Sequence, residues 1–496
     1  MSDVDCYSTA REMVRAVAEK EISARELLEL HLDRIAGTNP DVNAVVSLDE
    51  ERARAGAAEA DRRLAAGESV GPLHGLPHAF KDTHEVAGWR TTFGSPLRAD
   101  YVPRRDDLVA ERIRAAGVVV IGKTNVPEWA AGSHTFNPIF GTTRNPYDLS
   151  RSAGGSSGGA AAGLAAGMLP LADGSDMGGS LRNPASFNNV VGLRPSVGRV
   201  PTWPALNGWE VTSVSGPMAR NVEDLALLLS VLAGPSRRAP LSLEAPGATF
   251  APPLHGELSD VRVALSLDLG GAFQVDRAVA EVIAGQATVL EGAGATVEDA
   301  HPVLHSADAA FRTLRAWLFQ HRFRALLDKR PDDFKPSLRE NIEAGAGLTG
   351  ADVARAYQQL TSIHDRMRAF FERFDVLALP VSQVPPFSAD QEYPTEINGQ
   401  PQATYLDWMR SAYLITVTGC PAISVPAGFT PEGWPVGIQL VGPVRGERRL
   451  LEIAHAFEQL TRVGDRRPDL GTSVAAMRTA GAHAMPPTVP GGGGSG

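Results

Sequence analysis

The sequence predicts one continuous α/β domain, and three observations predict it. Residues 106–116 have helical spacing and lead through Gly117 into Val118-Val119-Val120-Ile121, a β-branched run of the kind that forms a strand buried on both faces. Near the end of the chain, AISVPAGF and VGIQLVG flank Thr430-Pro431-Glu432-Gly433, a Pro-x-Gly turn between two strand patterns, which predicts a hairpin. No linker-like break interrupts the middle of the 496-residue chain, and a hydrophobic content of 43% is enough to bury a large core without staples.

The first 68 residues read as a helical layer. Ser23 followed by Glu26 in ISARELLELHLDRI is a capping box that opens an amphipathic helix, with Leu27, Leu28, Leu32 and Ile35 on neighbouring faces. Residues 52–64 read as a second, Ala-rich helix, stopped by the Gly-Pro cluster at 71–77. A strand-like stretch at 77–80 then ends on Lys81. Between Gly154 and Gly179 the chain is so rich in Gly, Ala and Ser that backbone can approach backbone or ligand closely, and function is expected there, within a core spanning 70–235. From 240 to 412 the helical segments are less regular and broken by Pro-rich stretches such as 380–386, the pattern of a variable cover. Residues 413–465 hold the hairpin and a closing helix at 448–460; the tail 466–496 ends in GGGGSG, which reads as a flexible linker.

Charge and cysteine usage narrow the function. Net charge is −10, with Lys and Arg scattered, so neither nucleic acid nor an anionic membrane finds the cationic patch it needs. A small-molecule substrate is expected. Cys6 and Cys420 are the two cysteines, one near each end, the usage of a reducing compartment, and the cytoplasm is the expected location. No apolar run reaches the roughly 18–20 residues of a membrane span.

Three motifs point to chemistry that their contexts oppose. Residues 117–124 match the P-loop pattern G-x-x-x-x-G-K-T, but VVVI is an extended run and Thr124-Asn125-Val126-Pro127 cannot continue as the helix a phosphate cradle needs. Gly154-Gly155-Ser156-Ser157-Gly158 matches the G-x-S-x-G nucleophile elbow of α/β-hydrolases, which would make Ser156 the nucleophile of an esterase. The residues before it have a loop composition, and no downstream His has an evident catalytic context. His74 and His78 have the spacing of two zinc ligands on a helix, but Gly75 and Pro77 forbid that helix, so they read as local loop or surface histidines.

The strongest constellation joins Lys81 in GLPHAFKD, the run SAGGSSGG at 152–159 and GSDMGGSLRNPAS at 174–186. These residues resemble the amidase-signature family, whose hallmark is Gly-Gly-Ser-Ser-Gly-Gly followed by G-x-D-x-G-G-S-x-R. GKTNVPE, FGTTRNP, GLRPSVGRVP, SGPMARNVEDLALLL and PAISVPAGF with PVGIQLVGP extend the match from about residue 8 to 465. The resemblance implies a large central mixed β-sheet covered by helices on both faces. It also implies a metal-free, cofactor-free amidase, monomeric or homodimeric, in which Ser180 attacks the amide and Ser156, after a cis peptide, relays the proton to Lys81.

Amide hydrolysis needs an activated hydroxyl, a base and donors for the tetrahedral oxyanion. The N–H groups of Met177, Gly178, Gly179 and Ser180 are placed to supply the donors, since the glycines admit unusual dihedrals. As base, Lys81 must be neutral, so its pKa must fall from about 10.4 toward neutrality, at a cost of roughly 4 kcal/mol, which demands severe burial. Ser157, Ser175, Asp176 and Arg182 read as supporting groups, with the Ser175 hydroxyl able to bond the lysine and Asp176 and Arg182 tying down the turn.

Substrate choice is expected to lie with Ala130, Ala131, Phe136, Asn137 and Ile139, with Trp203, Leu206 and Trp209, and with Tyr405 and Trp408. Small alanines beside aromatics suggest room for a bulky apolar or aryl group. Aryl or alkyl amides lead, followed by nylon-type oligomers and carbamates. The glutaminase component of a tRNA-dependent amidotransferase fits less well, because Asn183 stands where those proteins typically carry glutamine.

Overall fold

Ser23 and Glu26 do form a capping box, at the start of the helix Ala24–Val42, in the computed structural model, which describes residues 4–470. The Ala-rich helix spans Glu50–Ala65, and Asp107 caps the helix Leu108–Ala115 through the N–H of Ala110. The linker-like GGGGSG end lies outside the described residues. Among the described residues no helix is long and apolar enough to cross a membrane.

Two sheets organise the chain. The smaller has strands β1 (Val45–Val46), β2 (Pro77–Lys81) and β3 (Val119–Thr124) in the order β1-β3-β2, with β2 and β3 parallel. The P-loop lookalike is therefore strand: Lys123 is buried in β3, its ammonium donating to the carbonyl of His84. The larger sheet contains β4 (Leu171–Asp176), β5 (Val191–Arg194), β6 (Val214–Ala219), β7 (Arg262–Leu265), β8 (Thr296–Asp299), β9 (Val376–Pro380), β10 (Ala422–Phe429) and β11 (Pro435–Val441). Their order is β8-β7-β9-β11-β10-β5-β6-β4, parallel among β8, β7 and β9 and antiparallel elsewhere, so the sheet is mixed. The hairpin β10–β11 closes through the Thr430 N–H to the Trp434 carbonyl at 2.8 Å.

Both faces of this sheet are covered, and β9 shows how. Val376 and Ala378 belong to one apolar cluster, with Leu225, Leu229 and Phe457 of flanking helices, while Leu377 and Leu379 belong to another, with Phe311 and Phe374. Side chains alternate across a strand, so a strand apolar at every position must be buried on both sides. The stretch 240–412, expected only as cover, also supplies β7, β8 and β9 to the sheet. Among its remaining helices, Pro336–Glu343 and Gly350–Phe370 both pack against Ala307–Leu327, which carries part of the wall of the site described below.

Candidate active site

Strand β2 delivers Lys81 into the interior. Its side chain is fully buried and its ammonium contacts only oxygens that carry no formal charge: Ser156 Oγ at 2.9 Å, Ser157 Oγ at 2.8 Å, Ser175 Oγ at 3.0 Å and the Ser175 carbonyl at 3.4 Å. Burial pushes its pKa down to about 7, against the opposing pull of Asp173 and Asp176. Asp82, the adjacent acid, accepts instead from the Thr92 N–H at 3.1 Å. Asp173, on β4, accepts from the Lys81 backbone N–H at 3.2 Å and pairs with His78 Nε2 at 2.9 Å. His78 is therefore a core residue bracing β2 against β4, and His74 is also buried, its Nε2 3.1 Å from the Ala60 carbonyl. His74 does lie in the loop that precedes β2, as expected, but His78 is in the strand, and neither is a surface residue because the chain at 74–78 enters the core.

The Ser156 loop is held by side chains from residues 133–135. Ser133 Oγ donates to the Gly155 carbonyl at 2.7 Å and Thr135 Oγ1 to the Gly154 carbonyl at 2.9 Å. The Gly155–Ser156 peptide is cis. The helix Gly158–Ala165 follows at once, and a Cβ at Gly159 would lie 2.3 Å from the Asn125 N, so only glycine allows this approach to β3. A strand, Asp148–Ser152, precedes the loop where a loop composition was read, paired in a small ribbon with Arg144–Asn145. The elbow geometry is still absent: that ribbon lies outside the central sheet, and Ser156 meets a lysine where the elbow's serine would meet a histidine.

At the end of β4 the Asp176 carboxylate folds the Ser180 turn around itself. It accepts from the N–H groups of Gly179 at 2.9 Å and Leu181 at 3.1 Å, and takes a two-point ion pair from Arg182, Nε at 3.0 Å and Nη2 at 2.9 Å. The Ser157 N–H donates to the Ser180 carbonyl at 3.2 Å and joins the two serine loops. The expected set of four oxyanion donors needs a correction, since the Gly179 N–H is already committed to Asp176. The N–H groups of Met177, Gly178 and Ser180 make no hydrogen bond to a described residue.

Ser156, Ser175, Met177 and Ser180 open on one cavity of about 390 Å³. Of the residues expected to shape it, Ala130 and Leu206 line it. Ala131, Phe136, Asn137, Ile139, Trp203, Trp209, Tyr405 and Trp408 do not. Trp408 and Ala131 are 0% exposed and pack in the core, Tyr405 is buried behind the wall, and Trp209 projects outward at 65% exposure. The wall comes instead from Phe93, Trp129, Phe323 and Phe319, in that order a chain of rings with successive centroids 5.3 Å, 5.1 Å and 5.6 Å apart, and from Arg315 and Arg322. These were missed because Arg315, Leu318, Phe319 and Arg322 follow a helical period within Ala307–Leu327, where apolar positions are indistinguishable from core positions until the fold shows what faces them.

Comparison with known proteins places the chain in a family. The Amidase family profile matches residues 26–451. An acylamidase of Rhodococcus erythropolis is 36% identical over 466 residues, 93% of this chain and 97% of the relative. A glutamyl-tRNA(Gln) amidotransferase component of Synechococcus sp. (strain CC9605) is 37% identical over 478 residues, 90% of this chain and 95% of the relative. Among solved structures, a bacterial aryl acylamidase of the amidase-signature family superposes with a TM-score of 0.85 at 31% identity, covering 92% of this chain and 98% of the other. A 6-aminohexanoate cyclic dimer hydrolase in complex with its substrate gives 0.84 at 29%, covering 94% and 100%. The serine-and-lysine cluster thus sits in a chain that belongs to the amidase-signature family and is an amidase, a hydrolase of C–N bonds.

Proposed function

We propose that Ser180 is the nucleophile of an acyl-enzyme mechanism, with Ser156 as proton relay and Lys81 as base, acting on small aryl amides. The observation that carries this reading is the Lys81 ammonium 2.9 Å from Ser156 Oγ in a fully buried site that lowers its pKa to about 7. A neutral Lys81 draws the Ser156 proton as Ser156 draws that of Ser180, and the Ser180 oxygen adds to the amide carbon. The developing oxyanion is met by the free N–H groups beside Ser180, from Met177, Gly178 and Ser180 itself. Collapse returns the proton from Lys81 through Ser156 to the departing amine. Water, activated by the same relay, then releases the acid. Ser157 and Ser175 hold the lysine, and Asp176 with Arg182 holds the turn.

The aromatic wall of Phe93, Trp129, Phe319 and Phe323 supports an aryl group on the substrate, as does the likeness to an acylamidase and to an aryl acylamidase. Ser180→Ala is expected to abolish hydrolysis of p-nitroanilides, read as nitroaniline release. Full activity in that variant would remove Ser180 from the mechanism. A panel of anilides, aliphatic amides, carbamates, linear nylon oligomers and glutamine tests the substrate reading, with anilides expected to lead.

A further inference from the structure

The cavity carries two guanidiniums, Arg315 and Arg322, without an ion-pair partner among the described residues. Arg315 is 6% exposed and lines the cavity, yet it forms no ion pair among the described residues. Its Nε donates to Asn341 Oδ1 at 3.0 Å, its Nη2 to the Tyr405 hydroxyl at 2.6 Å and its Nη1 to Met177 Sδ at 3.1 Å. All three acceptors are uncharged. A guanidinium presents five N–H donors, so two remain after these three bonds. Its plane lies over the Phe319 ring at 4.1 Å, which sets those donors beside the aromatic wall and next to the Ser180 turn.

Two turns further along the same helix, the more exposed Arg322 also lines the cavity, resting on Phe323 at 5.1 Å and again without an ion pair among the described residues. The two carboxylates of the cavity are each bonded by nearby donors, in the case of Glu210 by uncharged ones alone. Asp107 is bonded to His84 Nδ1 at 2.7 Å and caps a helix through the Ala110 N–H at 2.8 Å. Glu210 accepts from the Ser213 N–H at 2.8 Å. A cation withdrawn from water needs an anion or a dense set of donated lone pairs, and a guanidinium in a fork geometry matches a carboxylate best.

We infer that Arg315 is a specificity-determining residue that receives a carboxylate carried by the aryl amide substrate, with Arg322 adding attraction for the anion from the same helix face. This deepens the aryl amide reading and rests on it for the position of the scissile bond. The carboxylate would form a charge-assisted pair with the two free N–H groups of Arg315 while its ring lies along the aromatic wall.

The test measures kcat/KM for two acid and neutral pairs, 4-acetamidobenzoate against acetanilide and terephthalamate against benzamide. The acid lies on the amine side in the first pair and on the acyl side in the second. Wild-type protein is expected to favour the acidic member of one pair by at least about tenfold, the size of one charge-assisted hydrogen bond. In Arg315→Gln that ratio is expected to fall severalfold toward one, leaving only the weaker attraction of Arg322, whatever the absolute rates, since both members meet the same protein. No acidic preference in either wild-type pair, or a preference that survives undiminished in Arg315→Gln, overturns the inference. If none of the four compounds is cleaved, the aryl amide reading fails, and calorimetric binding of benzoate against benzamide to wild-type and Arg315→Gln protein decides the carboxylate site alone. Tighter benzoate binding that is lost in the variant upholds it; equal binding sinks it.

Discussion

Lys81 is chemically defined by what is missing around it. Four oxygens contact its ammonium and none belongs to a carboxylate, so burial dominates and its pKa falls to about 7. Below that pH the lysine holds its proton and cannot accept another, so kcat/KM is expected to drop about tenfold per pH unit on the acid side and to level off above. A profile that is flat from pH 5.5 to 8 would rule Lys81 out as the base. Lys81→Ala is expected to slow amide hydrolysis by on the order of 100-fold or more. Asp176 is the opposite case. Burial raises its pKa, but Arg182 and Arg194 outweigh burial and hold the carboxyl well below the usual range. Its stabilising contribution is present above the unfolded value of about 3.9 and is lost as pH falls through the lower folded value. Asp176→Asn leaves two buried guanidiniums without their anion and is expected to cost about 3–5 kcal/mol in denaturant unfolding. Lys81, Ser156 and Ser180 were named in the sequence through the resemblance of their flanking motifs to the amidase-signature family, and the structure brings the Lys81 ammonium to 2.9 Å from Ser156 Oγ. The burial of Lys81 and the engagement of the Gly179 N–H were not legible there, since both depend on what packs against them.

Among the elements, those whose boundary signals are local were legible. Ser23 accepts a backbone N–H and is answered by Glu26, so that helix start is written in consecutive residues; Thr9 and Glu12 form the same box at Ala10–Ala18, which was not singled out in the sequence. Ser23→Ala is expected to lower stability by about 1 kcal/mol in thermal or denaturant unfolding without touching catalysis. Strands β7 and β8 escaped notice for a physical reason. They are four residues each, and β8, Thr296–Asp299, sits at the sheet edge with mostly exposed side chains, so no apolar alternation marks it. The helix Gly158–Ala165 is packed against β3 with no space for a side chain at Gly159. Gly159→Ala is expected to destabilise by roughly 1–3 kcal/mol through overpacking, and to lower kcat by displacing the adjoining Ser156 and Ser157. A variant as stable and active as the parent would show that the helix can shift without cost.

At the scale of the molecule, the cavity wall depends on a tie between distant parts of the chain. Glu447, fully buried at the start of the helix Glu447–Thr461, accepts from the Ser196 N–H and from Arg199 Nη2, each at 2.9 Å. Val197, Gly198 and Val200, in the same segment, line the cavity. Glu447→Gln leaves Arg199 without its anion, so a lower Tm and a raised KM for anilides are expected together; a lower Tm with unchanged KM would show that the segment keeps its place by other contacts. The sequence by itself determined the α/β class, the helix cap at Ser23, the hairpin and the serine loops, because their donors, acceptors and turn residues lie within a few positions of one another. Tertiary structure alone decided that Lys81 is fully buried, that Tyr405 braces Arg315 from behind the wall, and that Phe93, Trp129, Phe319 and Phe323 line the same cavity as Ser180. The physical reason is that desolvation and cavity shape are set by segments far apart in the chain, and an aromatic residue on a helix reads the same whether it meets core or substrate.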